Sequence, residues 1–460
     1  MSGQSLTQRY LAAVAERGLT AGELLPAEAY PSLLMTVSSG RCAPMPAFIS
    51  HAELSQLHGD LTNMHAALES LPAKAFGGDF AAFARAVGLS PLQVEFAVRT
   101  QAGQPLTKFS RADFYADASG FKILEYNVGT QIGCLEQGLQ VDGALRHPLL
   151  AEFAAANNLG HVDTIAEQIT TMLAETGTPR AGRPVIGLVD WPGEFTGVQQ
   201  QAIRESAEHH TATLGVESLA GHLGELEYHD GRVWLHGRPL DVIYRIFMLQ
   251  HVNEPEGPAL MEPLIAAAER GEVKIFAPIG CEAFAAKAAL ALLSDEDNRK
   301  LFTAEERASL DRILPWTRIT NPGQVTTPAG VKADLLEYAL ANREELALKP
   351  TLLHGGAGVV LGWERTDAEW REAVASSMDG GSILQHRVRP LHHAMPGPDG
   401  ELIEYIFNWG IFSVAPNGWG ANGYGGLAIR CAPVQANVGV VGRLSAAQGA
   451  LFGGTMHELG

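Results

Sequence analysis

The segment from Ser110 to Gly129, SRADFYADASGFKILEYNVG, constrains the fold of this 460-residue chain more than any other segment. Polar and apolar residues alternate on both sides of Ala118–Gly120, which is the pattern of two antiparallel strands joined by a short loop. Gly120 occupies the position at which a three-residue hairpin loop needs a positive φ. The segment therefore predicts a hairpin with a defined register.

That register brings polar residues together. Counting outward from the loop gives three opposed pairs: Asp117 with Phe121, Asp113 with Glu125, and Arg111 with Asn127. Because side chains alternate along a strand, the four residues of the last two pairs share one face. Opposed Cβ atoms lie about 4.5 to 5.5 Å apart, a distance at which two carboxylates repel each other unless a cation lies between them.

Two carboxylates and an amide oxygen on one face suit Mg²⁺, with waters and phosphate completing its shell. We therefore predict that Asp113, Glu125 and Asn127 bind metal. Arg111 supplies a planar donor for phosphate oxygens. A solvated face with an ordinary Arg–Asp pair is the alternative for any one of these residues. The second strand is nevertheless too apolar for a free surface ribbon, since it contains Ile123, Tyr126 and Val128.

A second segment, LALKPTLLHGGAGVVLGWE, places Lys349 in a strand and Gly355, Gly356 and Gly358 in the loop that follows. Glycine loops let backbone N–H groups approach phosphates, and a strand lysine adds a positive charge. The loop is not a dinucleotide fingerprint, which must open a helix, and it is not a Walker loop, because no GK[ST] follows. It is either a phosphate loop or a plain hairpin turn.

Several single polar residues stand in apolar or glycine-rich surroundings. Lys287 lies in a helix-like run, EAFAAKAALALL, and either extends to solvent or reaches an anion. Gln385, in the strand SILQHRV, is either a satisfied strand residue or presents its neighbouring backbone to an adenine edge. Arg430 follows the glycine cluster Gly418–Gly426, which we interpret as a mobile lid or a turn. Asn437 is a weaker polar candidate nearby.

The chain as a whole indicates a mixed α/β fold in three parts. Residues 1–180 are mainly helical and include the metal-binding hairpin at 105–130. Residues 181–280 begin with the buried strand PVIGLVD, contain a hairpin that turns at Asp230–Gly231, and resemble a small Rossmann-like unit. Residues 281–460 alternate helices with strands and carry the glycine loops, as a nucleotide-binding portion would.

Composition excludes several partners. With 33 basic and 51 acidic residues the net charge is −18, so no cationic excess is present to bind nucleic acid or an anionic membrane. No stretch approaches the roughly 18 consecutive apolar residues of a membrane span. The four cysteines form no CxxC pair, which argues against a zinc knuckle and a disulfide framework. We expect a cytoplasmic, unprocessed chain.

The motifs together resemble the ATP-grasp ligases, and among them the circularly permuted branch typified by the synthetase domain of glutathionylspermidine synthetase. The R-x-D-F…E-Y-N spacing, with Glu125 12 positions after Asp113, carries the resemblance, followed downstream by Lys287, Lys349 and the glycine loop. In other ATP-grasp enzymes the lysines and the glycine loop precede the metal-binding residues. The loop sequence HGGAG departs from the Gly-Arg-Glu-Gly type of that synthetase, so glutathione and spermidine are doubtful substrates.

The resemblance assigns roles to residues already singled out: Mg²⁺ binding to Asp113, Glu125 and Asn127, a γ-phosphate contact to Arg111, and α- and β-phosphate contacts to Lys287 and Lys349. It implies transfer of the γ-phosphoryl group of ATP to a small-molecule carboxylate, followed by attack of an amine on the acyl phosphate. We expect Arg430 to stabilise that acyl phosphate. Two alternatives stay open: a nicotinamide-dependent oxidoreductase, favoured by PVIGLVD and GAGVVLG, and a non-catalytic nucleotide-binding protein with an ATP-grasp-like fold.

Overall fold

The computed structural model describes residues 4–25, 27–434 and 449–460, so that Asn437 lies outside the described residues. Seventeen α-helices lie within these ranges: α1 (Leu6–Glu16), α2 (Ala21–Leu24), α3 (Ser32–Ser38), α4 (His51–Ala75), α5 (Phe80–Ala86), α6 (Pro91–Gln101), α7 (Gln137–Ala144), α8 (Pro148–Ala156), α9 (Thr164–Thr176), α10 (Gly197–Thr213), α11 (Gly257–Glu269), α12 (Glu282–Ala285), α13 (Lys287–Ser294), α14 (Glu296–Arg299), α15 (Ala304–Ile313), α16 (Leu335–Ala341) and α17 (Asp367–Ser376).

The same residues form twenty-one strands: β1 (Ala47–Ile49), β2 (Ser110–Asp117), β3 (Gly120–Val128), β4 (Leu159–Gly160), β5 (Val185–Asp190), β6 (Glu217–His222), β7 (Glu227–His229), β8 (Arg232–Leu235), β9 (Arg238–Pro239), β10 (Val242–Arg245), β11 (Lys274–Phe276), β12 (Thr317–Ile319), β13 (Gln324–Thr326), β14 (Lys332–Asp334), β15 (Leu346–Pro350), β16 (Val360–Leu361), β17 (Ser382–His386), β18 (His392–Pro396), β19 (Leu402–Val414), β20 (Gly423–Pro433) and β21 (Leu451–Glu458).

Helix α4 shows how local sequence sets the helix ends. Ser50 accepts a hydrogen bond from the backbone N–H of Glu53, and the Glu53 carboxylate accepts one from the Ser50 N–H, which is a capping box. Leucines and a methionine along α4 are fully buried: Leu54, Leu61, Met64, Leu68 and Leu71. The helix therefore packs an apolar face into the core, and it buries His58, Asp60 and His65 as well.

The largest sheet has eight strands and joins distant parts of the chain. Its main path is β1-β21-β20-β19-β2-β3, with β18 paired to β19 and β4 paired to β21. Strand β19 pairs antiparallel with both β2 and β20, so the predicted hairpin adjoins the C-terminal strands. Fully buried Phe412 and Ile429 in these strands are part of the main core. The hairpin is thus part of a large sheet, in which β3 is an edge strand, and it is not a separate surface ribbon.

Two further sheets have four strands each. One is entirely parallel, in the order β11-β10-β5-β6, and helix α10 packs against β6. The other is antiparallel, in the order β12-β17-β15-β16. The predicted turn at Asp230–Gly231 is confirmed, with φ of 55° and 67° between β7 and β8. No helix in the described ranges is long and apolar enough to cross a membrane.

The predicted hairpin register is confirmed at the two pairs of candidate site residues and is wrong next to the loop. Asp113 pairs with Glu125 and Arg111 with Asn127, as predicted. Asp117, however, pairs with Gly120 and not with Phe121, because the loop contains two residues, Ala118 and Ser119. A bulge between Asp113 and Phe114 compensates for the shift by one residue. Gly120 has the predicted positive φ, at 111°.

Candidate active site

A cavity is lined jointly by the large sheet and by the smaller antiparallel sheet. The large sheet contributes five polar side chains: Asp113, Tyr115, Glu125, Asn408 and Arg430. The antiparallel sheet contributes Lys349 and Gln385, and the rest of the polar lining includes Lys287 and the loop residues Gly355 and Gly356. Residues from position 113 to position 430 thus line one cavity. Eight of the residues singled out above are among them, whereas Arg111, Asn127 and Gly358 do not line it.

Asp113 is held by two arginines. Its carboxylate accepts hydrogen bonds from Arg111 Nε and Nη2, at 2.7 and 3.0 Å, and from Arg430 Nη2 at 2.7 Å. Arg111 also donates from Nη1 to the carbonyl of Gly133 at 2.8 Å. Burial acts to lower the pKa of Arg111, but the charge and hydrogen bonding of Asp113, together with Cys134 and Glu125, raise that pKa overall. Both arginines are therefore fixed cationic donors around one carboxylate.

Glu125 lies in a field of positive charge. Its Oε2 is 3.2 Å from Lys287 Nζ, and its Oε1 accepts a 3.4 Å hydrogen bond from Asn127 Nδ2. Burial acts to raise the pKa of Glu125, but the charges of Lys287, Arg430 and two more distant cations, those of Arg111 and Lys349, lower it overall. The Glu125 carboxylate is therefore ionised at neutral pH and available to a cation.

Lys287 does not lie in the middle of a helix, as the sequence pattern predicted. The helix is interrupted at Ala286, between α12 and α13, and Lys287 is the first residue of α13. Its side chain is only 5% exposed and donates to the carbonyl of Leu353 at 2.6 Å. The expectation that it extends to solvent is wrong, and the alternative, contact with an anion, is realised through Glu125.

Lys349 and Gln385 form a hydrogen-bonded pair on adjacent strands of the smaller sheet. Lys349 Nζ donates to Gln385 Oε1 at 2.6 Å and to the carbonyl of Leu124 at 3.2 Å. Gln385 in turn donates to Thr317 Oγ1 at 3.3 Å, so it is a satisfied strand glutamine. Burial lowers the pKa of Lys349 to about 8, with Lys287 adding to the shift and Glu125 opposing it. Gln385 thus orients the lysine in the cavity.

The glycine loop is a connection between β15 and β16 that also faces the cavity. Gly355, Gly356 and Gly358 have φ of 63°, 80° and 69°, values that favour glycine. The hairpin interpretation of the sequence is confirmed by the antiparallel pairing of β15 with β16, and the phosphate-loop interpretation stays a prediction. Gly423–Gly426, by contrast, belong to buried strand β20, so the lid interpretation of Gly418–Gly426 is wrong over that half.

The sequence did not single out the apolar end of the cavity. Arg387 lies over the ring of Trp363, with Cζ 4.1 Å from the centroid, and both residues line the cavity. Leu361, Val388 and Pro390 line it beside them. A flat aromatic ligand would contact these groups while its polar part reached the lysines. The aromatic residue directly after the GAGVVLG run was the available signal.

Asn408 and Gly410 on β19 were also missed. Asn408 lies opposite Arg430 and its Oδ1 accepts from Arg430 Nη2 at 2.9 Å. Gly410 lies opposite Asp113, and a Cβ at this position would be 2.9 Å from Arg111 Cδ. The signal in the sequence was a polar residue and a glycine inside the apolar run IFNWGIF. Gly410 leaves space for the arginine that holds Asp113.

A second cavity adjoins the first at Arg430, which lines both. Arg111, Cys134 and Glu136 line the second cavity as well. Burial raises the pKa of Cys134, although the charges of Arg111 and Arg430 oppose the shift, so the thiol is protonated at neutral pH. The four cysteines are free thiols. Cys134 lacks the lowered pKa of a nucleophilic thiolate.

The hairpin residues fit a magnesium ion that is shared with a ligand. Among the described residues no group of three His, Cys, Asp or Glu side chains could hold a metal ion alone. Protein sites for Mg²⁺ commonly supply one or two carboxylates, and substrate phosphates and waters complete the octahedron. Asp113 and Glu125 are opposed on one face with the amide of Asn127 next to them. This donor set suits a metal–phosphate complex better than a bare ion.

Comparisons with known proteins show an ATP-grasp-like fold. The structure is similar over 98% of both chains to that of a glutathione synthetase-like effector from Globodera pallida in its apo form, with a TM-score of 0.57 and 12% sequence identity. A putative gamma-glutamylcysteine synthetase from Methylobacillus flagellatus KT matches over 89% of both chains, with a TM-score of 0.46 and 10% identity. No family model matches the sequence, and no curated protein matches it either.

Proposed function

We propose that this chain is an ATP-dependent carboxylate–amine ligase that forms an amide bond through an acyl phosphate and releases ADP and phosphate. The observation that carries the proposal is the convergence in one cavity of two carboxylates, Asp113 and Glu125, with three cations, Lys287, Lys349 and Arg430. Such a set suits a metal–polyphosphate complex. The ATP-grasp-like fold supports the same class of reaction.

The cavity suggests how ATP would lie. The adenine would contact the apolar end at Trp363 and Leu361, and the phosphates would extend toward Lys349 and Lys287. The loop N–H groups at Gly355 and Gly356 would face the phosphates. Asp113, Glu125 and Asn127 would hold Mg²⁺ together with the phosphate oxygens, and the bound metal would neutralise charge on the β- and γ-phosphates.

The chemistry requires positioning and charge stabilisation from the protein. A carboxylate oxygen of the acid attacks the γ-phosphorus, and the bond from that phosphorus to the β–γ bridging oxygen breaks as ADP leaves. The amine nitrogen then attacks the acyl carbon, the bond from carbon to the phosphoryl oxygen breaks, and the nitrogen releases a proton. Arg430 lines both cavities, so its guanidinium is suited to contact the group that passes between them.

Three further proposals concern the arrangement and the location of the chain. The hairpin precedes both lysines in the sequence but shares a sheet with β19 and β20, which supports a circularly permuted ATP-grasp arrangement. The division into residues 1–180, 181–280 and 281–460, with the second part as a Rossmann-like unit on the parallel sheet, is likewise proposed. A cytoplasmic location is proposed on composition.

A phosphate-release screen tests the function. The full chain with ATP and Mg²⁺ is assayed against panels of carboxylic acids and amines, singly and in pairs. We expect phosphate release that requires both partners, and a product whose mass is the sum of both minus water. Tryptophan quenching by ATP with Mg²⁺, compared with quenching by NAD(P), separates the ligase from an oxidoreductase. Phosphate release without any amide product, or quenching by NAD(P) alone, would contradict the proposal.

A further inference from the structure

The second cavity lies at the carboxyl ends of the parallel strands. Leu188 on β5, Tyr244 on β10 and Ile246 just after β10 line it, and the first half of helix α10 contributes Gln199 and Ile203. Ligands of open parallel sheets bind in the crevice outside the carboxyl ends of the strands. The arginines Arg111 and Arg430 close the side toward the nucleotide cavity. The second cavity is thus placed to hold a molecule that reacts at Arg430.

The walls of this cavity are predominantly apolar. They include side chains from five separate parts of the chain: Ile132, Ile165, Val198, Ile203, Ile246 and Phe452. His210 also lines the cavity, but burial lowers its pKa to about 3 and the neighbouring His209 lowers it further, so the imidazole is neutral. A ligand with an apolar body fits these walls.

Three hydrogen-bond acceptors interrupt the apolar lining. Glu136 is 9% exposed, and among the described residues its carboxylate is bonded to nothing beyond its own backbone N–H. Burial raises the pKa of Glu136 to about 7, since no cation compensates for it. Thr130 Oγ1 and Gln168 Oε1 are buried and have no hydrogen-bond partner within the described ranges. Each group is short of a donor.

Tyr244 lies near all three of these residues. Its hydroxyl donates to the carbonyl of Thr130 at 3.2 Å. Burial raises the pKa of Tyr244, a hydrogen bond with Gln168 lowers it, and the charge of Glu136 raises it again, so all three residues lie within interaction range of one ring. A carboxylate, an amide oxygen and a hydroxyl in the lining of one cavity offer acceptors for the three N–H donors of a primary ammonium group.

We propose that Glu136, together with Thr130 and Gln168, binds the ammonium group of an apolar substrate in the second cavity. The inference deepens the proposed ligase function, because it names a chemical class for one reactant. The ammonium belongs either to the acid that is phosphorylated, which would then be an apolar amino acid, or to the amine that attacks the acyl phosphate. Both sources present the same group to Glu136, and the two arms of the kinetic experiment below distinguish them.

Direct binding tests the site without relying on catalysis. n-Hexylammonium is titrated into the full chain by calorimetry, with n-hexanol as the uncharged probe of equal length. We expect hexylammonium to bind the unaltered chain and to bind Glu136→Gln at least ten-fold more weakly, while hexanol is indifferent to the substitution. Glu167→Gln is the matched control, because Glu167 is also a carboxyl group whose pKa burial raises but it does not line this cavity. Equal binding by both chains, or no binding at all, would overturn the inference.

Kinetics identifies the source of the ammonium and separates this inference from the ligase proposal. L-Leucine and its desamino analogue 4-methylpentanoate serve as acids, and hexylamine serves as the nucleophile. A ten-fold rise of KM for leucine but not for 4-methylpentanoate in Glu136→Gln assigns the ammonium to the acid, and a rise for hexylamine assigns it to the nucleophile. Turnover with every KM unchanged overturns the inference and leaves the ligase. Ammonium binding that depends on Glu136, without any turnover, would support the inference and contradict the ligase proposal.

Discussion

Arg430 donates a 2.7 Å hydrogen bond to Asp113, a residue 317 positions earlier in the chain. The contact is possible because β19 lies between β2 and β20 and brings the hairpin and the C-terminal strands into one sheet. Asn408 on β19 accepts from the same guanidinium nitrogen. The proposed metal ligand and the proposed phosphoryl contact are thereby held in a fixed geometry before any ligand binds.

Asp113→Asn tests the proposed metal contribution of the hairpin. The amide keeps the size of the side chain but loses the negative charge that holds Mg²⁺ and both arginines. We expect ADP release to fall by at least about a hundred-fold with the fold retained, judged by circular dichroism. Asp117→Asn, at the exposed end of the same strand, should stay within two-fold of the unaltered chain. Undiminished turnover in Asp113→Asn would remove Asp113 from the site.

Glu125 and Lys287 form an ion pair whose removal separates an effect on stability from an effect on activity. Glu125→Gln leaves a buried ammonium that retains the Leu353 carbonyl, so we expect a loss of about 3 kcal/mol in the free energy of unfolding. Adding Lys287→Met removes the unpaired charge and should restore most of that stability without restoring activity. Chemical denaturation of the three chains measures the free energies. A double variant as unstable as Glu125→Gln would contradict the pairing.

ATP affinity should depend on pH through Lys349. Burial lowers the pKa of this lysine from 10.5 to about 8, so it is charged below pH 8 and neutral above. Phosphates favour the charged form, and binding above pH 8 must therefore be accompanied by proton uptake. We expect the Kd for ATP to rise roughly ten-fold between pH 7 and pH 9. Calorimetry on Lys349→Met should show weak binding with no such dependence, and an unchanged pH profile in that variant would exclude Lys349.

Gly410→Ala tests the space that Arg111 occupies. The added Cβ would lie 2.9 Å from Arg111 Cδ, so the guanidinium must shift and its bidentate contact with Asp113 must weaken. We expect kcat to fall about ten-fold or more with little change in the KM for ATP. Gly59→Ala, in helix α4 with nothing near its Cβ position, is the matched control and should leave kcat unchanged. Equal kcat values in the two variants would count against a role for Arg111.

The alternation of polar and apolar residues along the chain predicted the part of the site that lies within the hairpin. Alternation around Gly120 gave the Asp113–Glu125 and Arg111–Asn127 pairs, because an antiparallel register propagates along both strands. The tip differed, since alternation alone does not distinguish a two-residue loop with a bulge from a three-residue loop. The loop is one residue shorter than predicted, and the bulge adds one residue. The two deviations therefore cancel, and the register of the pairs Asp113–Glu125 and Arg111–Asn127 is as predicted.

Contacts between distant segments could not be predicted in this way. Nothing near Gly410 in the sequence indicates that Arg111 packs against it, because the pairing of β19 with β2 is set by the whole core. Lys287 was expected inside a helix, but the helix is interrupted directly before it. Its ammonium therefore enters a buried cavity, where Glu125 and the Leu353 carbonyl stabilise the charge.

In the proposed reaction, the carboxylate of the acid becomes an acyl phosphate. The direct test uses an acid found in the phosphate-release screen, labelled with ¹⁸O in both carboxylate oxygens, together with ATP, Mg²⁺ and the matching amine. Mass spectrometry of the released phosphate should find one ¹⁸O atom in each phosphate formed, and the amide should retain the other. Amide formation with unlabelled phosphate, or with the label transferred to AMP, would contradict the account.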